Sequence, residues 1–169
     1  MLDKAMRDSA FASNIGPWPG AVAGYVGGPN AYNVWSASDW EAFSSNRKLP
    51  IWVAGDNGDD EGTACIAALK TLGVPSGVPV VADMETRVDK TYLEHFGATL
   101  GQAGYKTWVY GSAATVFNNP QLNGYWVADY RGSGPFMYSH TGVRATQWQA
   151  SETFDSSIVK WYQYYRLWR

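Results

Sequence analysis

The chain has 169 residues, is 46% hydrophobic and 17% charged, and carries a formal net charge of −2. That length suits one domain, residues 1–169, around one core. The charge balance offers no electrostatic footprint for nucleic acid or an anionic membrane, and no apolar run is long enough to span a bilayer. A single cysteine, Cys65, excludes an intramolecular disulfide and a cysteine-based zinc site. The two histidines, His95 and His140, lie far apart, which argues against a metal centre and against a Ser-His-Asp triad. No cofactor or metal is expected. The opening Met1-Leu2-Asp3-Lys4 leads into polar sequence and does not read as a secretory signal. Aromatic content is high, with nine Trp and eleven Tyr against six Phe. Rings with a polar edge suit clefts that are apolar on one side and hydrogen-bonding on the other, as sugar sites are.

The predicted elements alternate. Residues 1–6 read as a short first strand that carries Asp3, and 21–27 as a second, stopped by Gly27-Gly28-Pro29. Ser36 or Ser38 can cap a helix to about residue 45, with Asp39 and Glu41 near its positive end. Residues 49–54 are a third strand. The acidic run 55–62 lacks the glycine and glutamate spacing of a calcium loop and reads as a solvated loop entering a helix that ends near Gly73. Residues 78–82 are a β-branched, buried strand. Asp89 can cap a helix from residue 90 to 103, with Tyr92, Phe96 and Leu100 on one face and His95 at the surface. Strands follow at 107–111, 124–130, 143–149 and 155–160, with a short helix to Asn118 between the first two. The aromatic tail 161–169 suits a closing helix or an oligomer contact. Strand–helix alternation argues for a parallel sheet, and eight strands for closure. A full (β/α)8 barrel takes about 250 residues, so the expectation is a small, reduced TIM-like (β/α) barrel, α/β in class. It would have about eight mostly parallel strands and fewer than eight helices.

The run Val80-Val81-Ala82-Asp83-Met84-Glu85-Thr86 ends in two carboxylates two residues apart. On a strand, residues i and i+2 share a face, so Asp83 and Glu85 are expected to project together from its carboxyl end. That is the end where barrels of this kind place their chemistry. Two neighbouring acids push one pKa up, which supplies a proton donor and a carboxylate at one pH.

Six stretches carry a family resemblance by their order and spacing. They are Asp3, VADMET at 81–86, GYKTWVYGS at 104–112, GYWVADY at 124–130, ATQWQ at 145–149 and FDSS at 154–157. This set resembles glycoside hydrolase family 25, the lysozyme-like muramidases, and a related glycoside-hydrolase-like barrel family of phage and actinobacterial proteins. The resemblance implies hydrolysis of the β-1,4 bond between N-acetylmuramic acid and N-acetylglucosamine. Glu85 would be the general acid. Asp83 would stabilise the developing positive charge or orient the substrate's acetamido group. Asp3 and Asp155 would be further acids at the rim. Tyr110, Trp126, Tyr130 and Trp148 would be sugar-stacking candidates and Gln147 a hydrogen-bonding one. Strand alternation requires some of those five to face outward. The implied partner is the peptidoglycan glycan strand, with virion or tail components as further partners of a phage protein. The implied place of action is the cell wall, reached by release at lysis or in the virion. The competing reading is a non-catalytic glycan-binding or virion structural domain on the same barrel.

Overall fold

The computed structural model describes residues 2–85 and 87–169. Met1, expected in the first strand, and Thr86, the last residue of VADMET, lie outside the described residues. Eight strands close into a barrel in chain order: β1 (Lys4–Asp8), β2 (Ala21–Gly27), β3 (Lys48–Val53), β4 (Pro79–Asp83), β5 (Lys106–Ser112), β6 (Gly124–Ala128), β7 (Val143–Gln149) and β8 (Asp155–Val159). Strands β1 to β7 pair in parallel, and β8 runs antiparallel to both β7 and β1. Among the described residues there are six helices: α1 (Ala12–Ile15), α2 (Ala37–Ala42), α3 (Gly58–Thr71), α4 (Lys90–Gln102), α5 (Ala113–Asn118) and α6 (Trp161–Tyr164). None of them is long and apolar enough to cross a membrane. The reduced, mostly parallel barrel expected from the alternation is the fold observed.

Local chemistry explains the elements. Ser36, rather than Ser38, caps α2 in a reciprocal box with Asp39. Asn57, Asp89 and Ser112 each accept from a backbone N–H in the first turn of α3, α4 and α5. Every residue of β4 is buried, as its β-branched run predicts. Burying Val80 and Val81 contributes roughly 1.5–3 kcal/mol each.

Strand alternation sorts the apolar residues into two layers. Met6, Ala23, Ile51, Val81, Trp108, Trp126, Ala145 and Val159 fill the barrel. Val22, Trp52, Val80, Ala82, Val109 and Val127 face outward and pack with helix residues such as Leu69, Leu93 and Phe96. The tail closes the amino-terminal end of the barrel. Leu167 is buried with the interior cluster, and Trp168 exchanges two backbone hydrogen bonds with Lys48, at 2.6 and 3.0 Å.

Two expectations need correction. The first strand does not carry Asp3; it starts at Lys4 and runs to Asp8. The acidic run at 55–62 is not wholly solvated. Glu61 is buried and accepts from Trp52 Nε1 at 3.0 Å, Tyr92 Oη at 2.8 Å and the Gly55 and Asn57 N–H groups at 2.9 and 3.1 Å. Burial raises its pKa, but these four donors outweigh burial and hold it below the usual carboxylate value. The carboxylate thus stitches the β3–α3 loop to α4.

Candidate active site

Two buried acids and a half-buried third gather at one end of the barrel. β1 ends in Asp8 and β4 in Asp83. β8 runs the other way, so its first residue, Asp155, reaches the same end. Each shares a face with interior residues: Asp8 with Met6, Asp83 with Val81, Asp155 with Ser157 and Val159. Asp8 and Asp155 are direct partners across the antiparallel ladder, where Cβ atoms stand about 5 Å apart. Asp8 and Asp83 are only 6% and 5% exposed. Oδ1 of Asp8 is buried and has no hydrogen-bond partner among the described residues.

Burial is the main cause of their perturbed acidity. It pushes Asp83 up to about 7, helped by the Glu85 carboxylate and opposed by the Glu85 N–H that donates to Asp83 Oδ1 at 3.2 Å. Burial, then repulsion from Asp155 and Asp83, holds Asp8 well above the ordinary range. Burial also raises Asp155, against hydrogen bonds from the Ser151 N–H and from Gln147. The cluster therefore holds protons at a pH where free aspartates have lost them.

Glu85 departs from the strand geometry expected of it. The ladder stops at Asp83, and Glu85 lies in the following turn, exposed, with φ of +51°. That left-handed conformation is uncommon outside glycine and concentrates at functional sites. The Glu85 carbonyl accepts from the Ser112 N–H at 3.4 Å, and Gly111 leaves it room. A Cβ at position 111 would sit 2.4 Å from that oxygen. Glu85 is nevertheless brought to the cluster, since its charge acts on Asp83, Asp155, Tyr25 and Tyr130. Three acids line the floor and Glu85 stands at the mouth.

Tyrosines and one amide complete the site. The Tyr110 hydroxyl donates to Gln147 Oε1, and Gln147 Nε2 donates to Asp155 Oδ2 at 2.5 Å. Gln147 is fully buried. Tyr130 is 52% exposed beside Tyr110 and offers an open ring at the mouth. Burial raises the pKa of Tyr25 and Tyr110, followed by the Asp83 carboxyl for Tyr25 and the neighbouring Tyr130 for Tyr110, so both stay neutral hydroxyl donors.

Other expected site residues lie elsewhere. Asp3 is at the opposite end of the barrel, where it accepts from the Trp161 N–H at 3.2 Å. Trp126 faces inward but is fully buried below the acids, with its Nε1 on Ser157 Oγ at 3.1 Å and its ring 4.9 Å from that of Tyr110. No sugar can reach it. Trp148 follows inward-facing Gln147 and so points outward, lining a groove with Trp18 and Phe154. Asp8 and Tyr25 were missed. The alternation of Met6 and Asp8 against Ala5 and Arg7 is the signal for the first, and Ala21-Ala23-Tyr25 for the second. Among the described residues, no group of three His, Cys, Asp or Glu side chains is arranged to hold a metal ion.

No family model and no curated protein sequence matches the chain. Solved structures do. An uncharacterized protein of B. stearothermophilus superposes with a TM-score of 0.78 at 18% identity, covering 97% of this chain and 99% of that one. The modular autolysin LytC from Streptococcus pneumoniae, in complex with a synthetic peptidoglycan ligand, gives 0.70 at 14% identity, covering 92% of this chain and 46% of that one. The modular Cpl-1 endolysin complexed with a peptidoglycan analogue gives 0.67 at 18% identity, covering 94% and 55%. The chain thus spans about half the length of those two modular proteins. At these identities the likeness is one of fold, and it covers the whole barrel.

Proposed function

We propose that this chain degrades peptidoglycan as a glycoside hydrolase of the muramidase type. The observation that supports this best is the placement of Asp8, Asp83 and Asp155 beneath Glu85 at the carboxyl-terminal end of the barrel strands. Glycosidases need one protonated and one ionised carboxyl group at the same pH. Here burial and mutual repulsion keep protons on the aspartates beneath Glu85, as a reserve for the donor, and Asp83 serves as the ionised partner above about pH 7. Glu85, at the mouth, donates the proton to the glycosidic oxygen. Asp83, beneath it, faces the developing positive charge or holds the acetamido group for internal attack, a recorded alternative to the two-carboxylate scheme. Tyr130 supplies a stacking face, and Gln147 holds Asp155 and Tyr110 in place. The substrate is the glycan strand of the wall, which places the activity outside the cytoplasm, after release at lysis or from a virion.

The test is digestion of purified peptidoglycan with analysis of the new ends. Fresh reducing ends on N-acetylmuramic acid support the reading. Release of peptide amines without reducing ends contradicts it. Binding to the wall without any cleavage shifts the assignment to a glycan-binding domain.

A further inference from the structure

The modest net charge conceals a segregation. The acids of the candidate site, with Asp56, Asp59, Asp60 and Asp89 on the loops and helix starts after β3 and β4, occupy the carboxyl-terminal end of the barrel. At the opposite end, β1, β3 and β5 each open on a base, Lys4, Lys48 and Lys106, and Arg144 stands second in β7. Lys160 follows β8 at this same end, because β8 is antiparallel. Here four cationic side chains, Arg47, Lys106, Arg166 and Arg169, line a cleft of about 700 Å3 that no carboxylate side chain lines. The Arg and Lys ion pairs found among the described residues belong to Arg87 and Arg131, at the other end, so none of the four has a carboxylate partner among the described residues. The acids placed at this end are engaged otherwise. Asp3 accepts from the Trp161 N–H, and Glu41 acts on Lys48.

We infer that this cleft binds a linear phosphodiester chain without bases, of the glycerol-phosphate type that cell walls carry alongside their glycan. Four cationic side chains without a carboxylate side-chain partner around one concavity favour a polyanion over a single anion. The choice among polyanions follows from the walls. Single-stranded nucleic acids are held by a basic groove with free aromatic faces for their bases. The one ring lining this cleft, Trp168, is part-buried and carries the Lys48 ammonium 4.5 Å from its centroid. The remaining lining is small or aliphatic, chiefly Gly73, Pro75, Ser76 and Gly77. A bilayer would need an apolar face to insert, and a concave cationic cleft offers none. The wall as the source rests on the peptidoglycan reading; the charge chemistry does not. Held by this end, the protein would present its acids away from the anionic polymer and toward the glycan.

The experiment is titration of the labelled protein with poly(glycerol phosphate), free of glycan, at low and moderate salt. Four phosphate contacts predict that affinity falls about fifty-fold between about 50 and 200 mM salt. The double variant Lys106→Gln/Arg166→Gln alters two exposed side chains and should bind more weakly, with that fall reduced to about seven-fold. Lys90→Glu, which removes the same charge from the other end, should leave binding unchanged. Absence of binding at low salt, equal binding by the double variant, or an equal loss in Lys90→Glu overturns the proposal. Tighter binding of single-stranded DNA of equal phosphate number, or of anionic vesicles, overturns it in favour of those ligands. Because the polymer contains no glycosidic substrate, failure here leaves the hydrolase reading standing, and the converse holds.

Discussion

Asp8 and Asp155 face each other across the β1–β8 ladder, one from the end of its strand and one from the start. Like charges in directly opposed positions are destabilising, and burial amplifies the effect. The pair is tolerable because burial and mutual repulsion keep Asp8 protonated above the usual range. Asp8→Asn removes the conflict while keeping the shape. The expected outcome at about pH 8 is a gain of about 1–3 kcal/mol in unfolding free energy, read from urea denaturation, with glycan hydrolysis reduced.

The raised acids set the direction of the pH dependence. Burial pushes Asp83 up to about 7 in the folded state, against about 3.9 for a free aspartate, and raises Asp8 and Asp155 in the same direction. Between those values the folded state holds protons that the unfolded chain has released. Stability therefore falls as pH rises from about 4 through about 7. Asp83→Asn should flatten that slope and be more stable than wild type at about pH 8. Urea midpoints measured across this range check it. A wild type that grows more stable from about pH 4 to about pH 7 would contradict the protonated cluster.

Gln147 is fully buried and holds two partners, the Tyr110 hydroxyl and the Asp155 carboxylate. Gln147→Leu fills similar volume but strands both groups. The expected loss is about 2–4 kcal/mol, or roughly 5–15 °C in Tm for a chain of this size. Asp155 would also lose a hydrogen bond that lowers its pKa, so the acid limb of the activity profile should move to higher pH.

Tyr130 and Trp148 lie on opposite sides of the sheet and should behave oppositely. Tyr130 is exposed at the mouth, and Trp148 packs on the outer face near Trp18 and Phe154. Tyr130→Ala should weaken glycan binding about five- to tenfold through lost stacking, with little change in Tm. Trp148→Ala should lower Tm by several degrees, about 1–3 kcal/mol, and leave glycan binding unchanged. Calorimetry with a soluble glycan fragment and a thermal melt separate the two.

The barrel was legible because its strands are short β-branched or alternating runs punctuated by Gly and Pro, and because the helices announce themselves with Ser36, Asp89 and similar caps. The reversal of β8 was legible too, though unread. Five residues, 150–154, join Gln149 to Asp155, far short of the dozen or more that a parallel crossover needs. The site was harder. Asp3 drew the motif because it lies near the start of the chain, whereas the register of β1 carries Asp8 to the end that matters. Trp126 and Trp148 look alike as rings on strands, but depth within the barrel and strand parity decide what each can touch. The separation of basic and acidic ends was invisible in a net charge of −2, since it arises only when strand starts converge at one end of a closed sheet.

The most direct measurement is hydrolysis of purified glycan strands by wild type and Glu85→Gln, with equilibrium binding of the same glycan measured beside it. The substitution keeps the shape of the side chain and removes its titratable proton. The expected result is a loss of about a hundredfold or more in rate, with binding held within about threefold. Equal hydrolysis by both proteins would contradict Glu85 as the proton donor, and binding without hydrolysis by wild type would contradict catalysis at this site.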